Sequence, residues 1–368
     1  MKKIICALAV SALALSVGFS WAQSKENPDE QACIAKDAVA CQRLGLRWFD
    51  KGTPLEQAKA RQYLEKACDL DSTVGCLNLG QMFASGKGGT PDEGYSRRYY
   101  SRACELKEGA GCLALGFAYL GDRQRGVENA LLYFGKACEL KVPQGCIRVG
   151  EIWRKGIIVQ KDIAKARQFY LAACEQKNAV GCRELGETYS QADEDAAPND
   201  YVEARKYFDQ ACELKDKESC SKLAFDYATG KNGIDKDEAR ARLYFDKSCR
   251  LGDPVTCYMA GLEYAAGLGG PKDDAKAREF YNRACDLKEP KACLDLGTMF
   301  YKGVGGPKDL LKARLAFEDA CNLKEGAGCL NLGFCFETGA CGAPINPGLA
   351  KSFYKKACDL KVRKACNK

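Results

Sequence analysis

The chain has 368 residues, 46% of them apolar and 29% charged, and a formal net charge of +7. That composition supplies a large buried core, and so mild a charge balance gives no electrostatic footprint for nucleic acid. The chain has no histidine, which excludes Ser-His-Asp and Cys-His catalysis, HExxH zinc chemistry and a histidine pH switch.

The N-terminal segment comes first. Met1-Lys2-Lys3 is a short positive start, Ile4 to Phe19 is apolar, and Ser20-Trp21-Ala22 offers small residues for a cleavage site. This pattern predicts a signal peptide over residues 1–22, cut before Gln23. A membrane anchor is the alternative, but the apolar run is shorter than the ~20 residues a spanning helix needs. Cys6 lies too early to be a lipid-attachment site. Without Lys2 and Lys3 the net charge of +7 falls by two to +5. The expected product is residues 23–368, secreted or periplasmic, with no membrane attachment after cleavage.

The rest of the chain is organised by cysteine. Of 23 cysteines, all but Cys6 remain after cleavage, an even number in an exported chain, which is the sign of a disulfide framework. Twenty form pairs eight positions apart: Cys33 with Cys41, Cys68 with Cys76, Cys104 with Cys112, Cys138 with Cys146, Cys174 with Cys182, Cys212 with Cys220, Cys249 with Cys257, Cys285 with Cys293, Cys321 with Cys329 and Cys358 with Cys366. The first members recur every 34 to 38 residues, so the chain is an internal repeat.

Other positions keep the same register. Eight residues before the first cysteine stands Ala in eight of nine repeats, as at Ala60, Ala130, Ala166 and Ala313. Four and five before it are aromatics or Leu in nearly every repeat, as in Tyr133-Phe134 and Phe280-Tyr281. Four after the second cysteine is usually Gly, and seven after it always an aromatic, from Trp48 to Phe336. This is the rhythm of amphipathic helices. Each repeat therefore reads as two. Helix A runs from about the second cysteine to a Gly-rich turn such as Gly303-Val304-Gly305-Gly306. Helix B opens on an acidic residue such as Asp92, Asp162 or Asp309, which suits the helix dipole, and ends at Ala-Cys-x-Leu.

Each cysteine pair spans the tight corner from helix B to the next helix A, where antiparallel helices bring two such positions within disulfide reach. Ten bridges are expected at these pairs, each contributing about 2.5 kcal/mol through loop entropy. A zinc array is the rival, but zinc favours closer cysteine spacing and histidine, so no metal is expected. Cys335 and Cys341 fall outside the register. They read as an extra staple, Cys335 with Cys341, on the last repeat, with a reactive redox pair as the alternative.

Cys-x-x-Leu-Gly, an aromatic, a Gly turn and Lys-Ala-x-x-Tyr-Phe-x-x-Ala-Cys together resemble the Sel1-like repeat. A cysteine pair in every repeat plus an export signal is similar to the Helicobacter cysteine-rich proteins of that class. The resemblance implies an all-α fold, an α/α superhelical solenoid of about nine repeats over residues 23–368. It also implies a role in protein interaction. Some relatives are classed as penicillin-binding proteins or weak β-lactamases. Two departures stand out: an acidic linker at Asp193-Glu194-Asp195, and Ala224 where helix A usually has Gly.

A serine β-lactamase needs Ser-x-x-Lys together with Lys-Thr-Gly and Ser-Asp-Asn. Ser219 with Lys222 and Ser352 with Lys355 match the first motif, and neither supporting motif occurs. These four are the only catalytic candidates, and coincidence in a Lys-rich chain explains them. No nucleotide-binding loop occurs and no cofactor is expected.

Binding is expected on the helix A wall, which the resemblance makes concave. Offsets +2, +5 and +9 from the second cysteine point away from the buried face and vary between repeats. They include Asn78, Arg148, Glu184, Glu187, Lys222, Lys302 and Asn331, and the apolar Phe117, Phe225, Met259, Leu262 and Phe334. The apolar ones read either as packing against neighbouring helices or as anchors for an extended peptide. The expected partner is a protein or peptide. A peptidoglycan-derived fragment or a β-lactam is the alternative ligand.

Overall fold

The computed structural model describes residues 27–50, 52–121, 126–157, 159–190 and 200–368. The signal-peptide segment and the acidic linker lie outside the described residues. Those residues form nineteen α-helices and one 3-10 turn, with no strand. They divide into two compact units, one ending at Leu106 and one beginning at Lys107. The first holds α1 (Pro28–Ile34), α2 (Ala38–Arg47), α3 (Pro54–Asp69), α4 (Thr73–Ser85) and α5 (Glu93–Glu105). The second begins with α6 (Gly109–Leu120), α7 (Gly126–Glu139), α8 (Pro143–Lys155), α9 (Ile163–Glu175), α10 (Ala179–Ser190), α11 (Tyr201–Glu213) and α12 (Lys217–Thr229). It continues with α13 (Glu238–Arg250), α14 (Pro254–Ala266), α15 (Asp274–Asp286), α16 (Pro290–Lys302), α17 (Leu310–Asn322), α18 (Gly326–Thr338) and α19 (Pro347–Asp359). From α2 onward, even numbers are A helices and odd numbers B helices. In each unit the helix hairpins stack side by side as a solenoid.

The B-to-A corner has one recurring design, clear at Leu214-Lys215-Asp216. Leu214 ends α11, and Lys215 takes the left-handed conformation at φ 69°. Its N–H donates to the Cys212 carbonyl at 2.9 Å, and the Asp216 N–H to Ala211 at 3.0 Å, which closes the helix C-terminus. Asp216 then caps α12 by accepting from the Ser219 N–H. Helix A therefore starts three residues before its cysteine, earlier than the periodicity implied, because one short turn both ends a helix and starts the next. The same left-handed position is Lys177, Lys288, Lys324 and Lys361 in other repeats. A non-Gly residue there costs about 1–2 kcal/mol, which a bridge contributing about 2.5 kcal/mol offsets.

The bridges close across these corners in the pairs that the spacing predicts. In the first unit Cys33 bonds to Cys41 and Cys68 to Cys76. In the second, Cys138 bonds to Cys146, Cys174 to Cys182, Cys212 to Cys220 and Cys249 to Cys257. Cys285 bonds to Cys293, Cys321 to Cys329 and Cys358 to Cys366. The Cα atoms of these pairs lie 4.5 to 4.9 Å apart, within the reach of a disulfide. Cys104 and Cys112 are also in the disulfide form. The second cysteine of most pairs, from Cys41 to Cys329, is fully buried in the first turn of helix A. Cys366 follows a 3-10 turn instead and is exposed.

The A-to-B contact is built from rings. Gly150 on α8 lets the Tyr170 ring of α9 lie against the helix backbone, and a Cβ there would meet that ring at 2.6 Å. Where Ala224 replaces this glycine it is fully buried, so one methyl is accommodated. The aromatic seven past the second cysteine stacks on the one five before the next: Tyr119 on Tyr133 at 5.5 Å, Tyr227 on Tyr244 at 5.7 Å, Phe336 on Phe353 at 5.7 Å. These rings are half-buried or buried against the core, which accounts for their regularity.

An arginine seven residues before the first cysteine completes the repeat. Arg242 on α13 donates to the carbonyls of Glu263, Gly270 and Pro271 at 3.1 to 3.3 Å, and its guanidinium lies 4.4 Å from the Tyr264 ring. Arg278 does the same for Met299, Gly306 and Pro307, over Phe300. Arg61 binds Met82, Lys87 and Thr90, over Phe83. Each closes the negative end of helix A and the loop that follows. That loop passes so close to the preceding B helix that a Cβ at Gly305 would strike the Asp274 carbonyl. After α18 the bridge from Cys335 to Cys341, with both cysteines buried, ties the helix end to its loop.

The second unit also buries carboxylates. Glu263 is 6% exposed and its Oε2 has no hydrogen-bond partner among the described residues. Burial raises its pKa, Arg242 opposes this, Glu238 adds to it and Lys236 opposes it. Folding therefore favours the protonated form, so this group's contribution to stability falls as pH rises from the unfolded carboxylate pKa through the higher folded one.

Two outcomes follow from these contacts. Arg242→Ala removes the three hydrogen bonds that tie the end of α14 to its loop and lowers stability by about 2 kcal/mol, and Arg242→Lys recovers less than half, as read from urea midpoints by circular dichroism. Glu263→Gln raises the urea midpoint at pH 7, and the gain disappears below the unfolded carboxylate pKa of about 4.3.

Candidate binding face on the A helices

The ring contacts, the bridges and the arginines use up most of each A helix. What remains is the stripe at offsets +2 and +5 from its cysteine. Phe117 on α6 and Phe334 on α18 lie on this stripe and are 43% and 44% exposed. Phe117 sets one edge against Phe134 at 5.1 Å, and Phe225 does the same with Phe245 at 5.1 Å. Each thus has one side packed. Met259 and Leu262 on α14 are half-buried and join Phe225 against the same core cluster. Phe225, Met259 and Leu262 thus all pack against this one extended cluster, and Phe117 and Phe334 lie on separate helices.

The charged candidates mostly pair along the stripe. Arg148 meets Glu151 at 2.8 Å and its guanidinium lies 5.4 Å from the Phe117 ring. Glu184 meets Arg154 at 3.3 Å and Arg183 at 3.8 Å. Asn78, in the first unit, donates to the Val74 carbonyl at 2.8 Å on its own helix. Lys222 places its ammonium 5.2 Å from the Phe208 ring, and its charge partly offsets the burial that raises the Asp226 pKa. Glu187 adds to that rise.

The Ser-x-x-Lys matches divide. Ser219 is 1% exposed and its hydroxyl donates to Asp216 Oδ2 at 3.2 Å, which holds the start of α12. Ser352 and Lys355 are exposed on α19. Open grooves of 430 and 410 Å³ lie between B helices, the first beside Tyr99 and Arg102, the second beside Tyr244 and Leu243. None of the nominated binding residues lines either groove. Burial and the Glu65 acceptor push the Tyr99 phenol up to about 12, so it stays a donor that stitches α5 to α3.

Two features escaped the sequence reading. Asp295 stands at offset +2 on α16, and Tyr258 on α14 donates to its Oδ2 at 3.1 Å. The clamping arginines Arg61, Arg242 and Arg278 were visible as part of a recurrence that also includes Arg97, Arg167, Arg205 and Arg314, but the recurrence gives no clue to the acceptor. Among the described residues no cluster of three or more His, Cys, Asp or Glu suits a metal, and no helix is long and apolar enough to cross a membrane.

The Sel1 repeat model matches nine segments, residues 38–72, 73–108, 110–142, 143–178, 179–216, 217–253, 254–289, 290–318 and 326–362. Among solved structures, a protective antigen of uropathogenic Escherichia coli displaying an SLR fold is 23% identical. That match covers 89% of this chain and 70% of the antigen, with a TM-score of 0.53. A Sel1 repeat protein from Oxalobacter formigenes is 18% identical over 92% of this chain and 87% of its own, with a TM-score of 0.52. Helicobacter pylori cysteine rich protein B is 33% identical over 38% of this chain and 97% of its own, with a TM-score of 0.29. No curated protein matches the chain. The first two structures share the fold, and the nine matched segments span nearly all of the described residues: the chain belongs to the Sel1 repeat family.

Proposed function

We propose that this chain is a non-enzymatic scaffold that holds an extended protein or peptide segment across the A-helix stripe of its second unit. The observation that carries this reading is the exposure of Phe117 and Phe334, 43% and 44%, on the stripe that the packing of the A helices leaves open. Half-packed rings are rigid, and rigid aromatics at a surface supply most of the energy of an interface. Extended segments suit such a surface because their alternate side chains reach successive helices.

The bridges fit work in an oxidising compartment outside the cytoplasm. Residues 1–22 act as the export signal, and residues 23–368 are the secreted or periplasmic product. Hydrolysis of a β-lactam draws no support from the site: Ser219 is sealed and spends its hydroxyl on Asp216. A peptidoglycan-derived ligand has no residue that speaks for it over a peptide.

The test is capture of a partner from the extracytoplasmic fraction of the native host. Phe117→Ala and Phe334→Ala together lower its affinity at least tenfold, with circular dichroism unchanged. Adding Phe225→Ala weakens it further. Undiminished capture by the triple variant overturns the reading.

A further inference from the structure

The recurring arginines are not all used alike. Arg61, Arg167, Arg242 and Arg278 each donate to a carbonyl at the end of the A helix that follows. Arg205 on α11 and Arg314 on α17 hold the same position and make no hydrogen bond, ion pair or ring contact among the described residues. Each precedes an A helix whose end is tied by other means. After α18 it is the bridge from Cys335 to Cys341. After α12 the Asn232 amide donates to Asp226 at 2.8 Å and Ile234 is buried, so the loop closes on itself. Arg205 is left half-buried without an acceptor.

Arg205 lines two spaces. The one it shares with Asp226 and Asn232 measures about 10 Å³, room for one water at most. The other is the 410 Å³ groove between α11 and α13. The remaining charges of that groove are already engaged. Lys206 meets Glu203 at 3.3 Å, and Arg240 meets Asp237 at 3.4 Å and the Tyr227 hydroxyl at 3.1 Å. Asp209 accepts from the Tyr244 hydroxyl at 2.6 Å. Val202 and Leu243 line the same groove and are 63% and 51% exposed, beside the Tyr244 ring that stacks on Tyr227. The groove beside Tyr99 and Arg102 has no aliphatic side chain in its lining.

We propose that the groove between α11 and α13 binds a monocarboxylate with an apolar body, its carboxylate on Arg205 and its body on Val202, Leu243 and the Tyr244 ring. A half-buried guanidinium without acceptors is unfavourable, and a carboxylate matches its paired donors. The volume is that of a small-ligand site. Glu203 and Asp209 line the same groove, so a phosphate dianion or a nucleic acid strand meets repulsion there that a single carboxylate on Arg205 avoids. Two sources carry this chemistry, a free organic acid and the last residue of a polypeptide. The site lies between B helices, away from the A-helix stripe, and does not depend on the scaffold reading.

The experiment uses the disulfide-intact chain at neutral pH and reads binding from NMR titration of the ligand. N-acetyl-leucine is expected to bind about tenfold more tightly than N-acetyl-leucinamide, a difference of about 1.4 kcal/mol, and more tightly than N-acetylglycine, which lacks the apolar body. Arg205→Gln lowers N-acetyl-leucine to the level of its amide and leaves the urea midpoint in place. Arg314→Gln, at the same repeat position but lining neither groove, changes neither reading. Leu243→Ala weakens N-acetyl-leucine and keeps the preference for acid over amide. A short peptide ending in leucine with a free carboxylate separates the sources: binding at least as tight as that of N-acetyl-leucine assigns the groove to a polypeptide end, and weaker binding assigns it to a free acid. Equal binding of acid and amide, a preference that survives Arg205→Gln, or no binding by either acid or peptide overturns the proposal. A drop in the urea midpoint of Arg205→Gln as large as that of Arg242→Ala also overturns it, because Arg205 is then a structural clamp.

Discussion

The bridge between the last turn of one helix and the first turn of the next is the contact on which the rest depends. A solenoid repeat touches only its neighbours, so no distant part of the chain corrects a loose hairpin. Here the corner is a three-residue turn with a Lys held left-handed. That strain is tolerable only where something else holds the two helices together. With the corner set, each helix enters at a fixed rotation, and every later contact falls in register.

Those contacts divide the surface of each A helix. In most repeats its glycine receives a ring from the next B helix and its late aromatic stacks on a second ring, and in several an arginine closes its C-terminal carbonyls. Only the +2 and +5 stripe is left to vary. The variable face is thus the remainder of a demanding packing scheme. It is also why charge and size there differ so much between repeats while the core scarcely changes.

The second unit departs from this economy by burying acids. Asp216, Asp226, Glu263 and Asp295 all have carboxyl pKa values raised first by burial. Asp216 is compensated by Arg183 at 2.8 Å and by its cap, so its role is local. Glu263 sits beside a clamp arginine that is already committed to carbonyls. Asp295 opens onto the face itself. Stability is spent unevenly between these positions, and residues that cost stability without a structural return are where function tends to lie.

The sequence by itself determined the repeat, the helix pairs, the all-α solenoid and a bridge in each hairpin. All of these follow from periodicity: cysteines eight apart, small and aromatic residues at constant offsets, and turns between them. It also marked the +2 and +5 stripe, because a helix with one buried face leaves the opposite face to vary. What only the tertiary structure decided is how that stripe is used. Phe225 is half-buried while Phe117 and Phe334 stay substantially exposed, and Ser219 proves to be a sealed cap. Asp295 meets Tyr258 from 37 residues away, and the recurring arginines reach loops 21 to 29 residues ahead. Such pairings depend on which helices lie side by side and how far each side chain reaches across them, and offsets within one repeat carry no record of that.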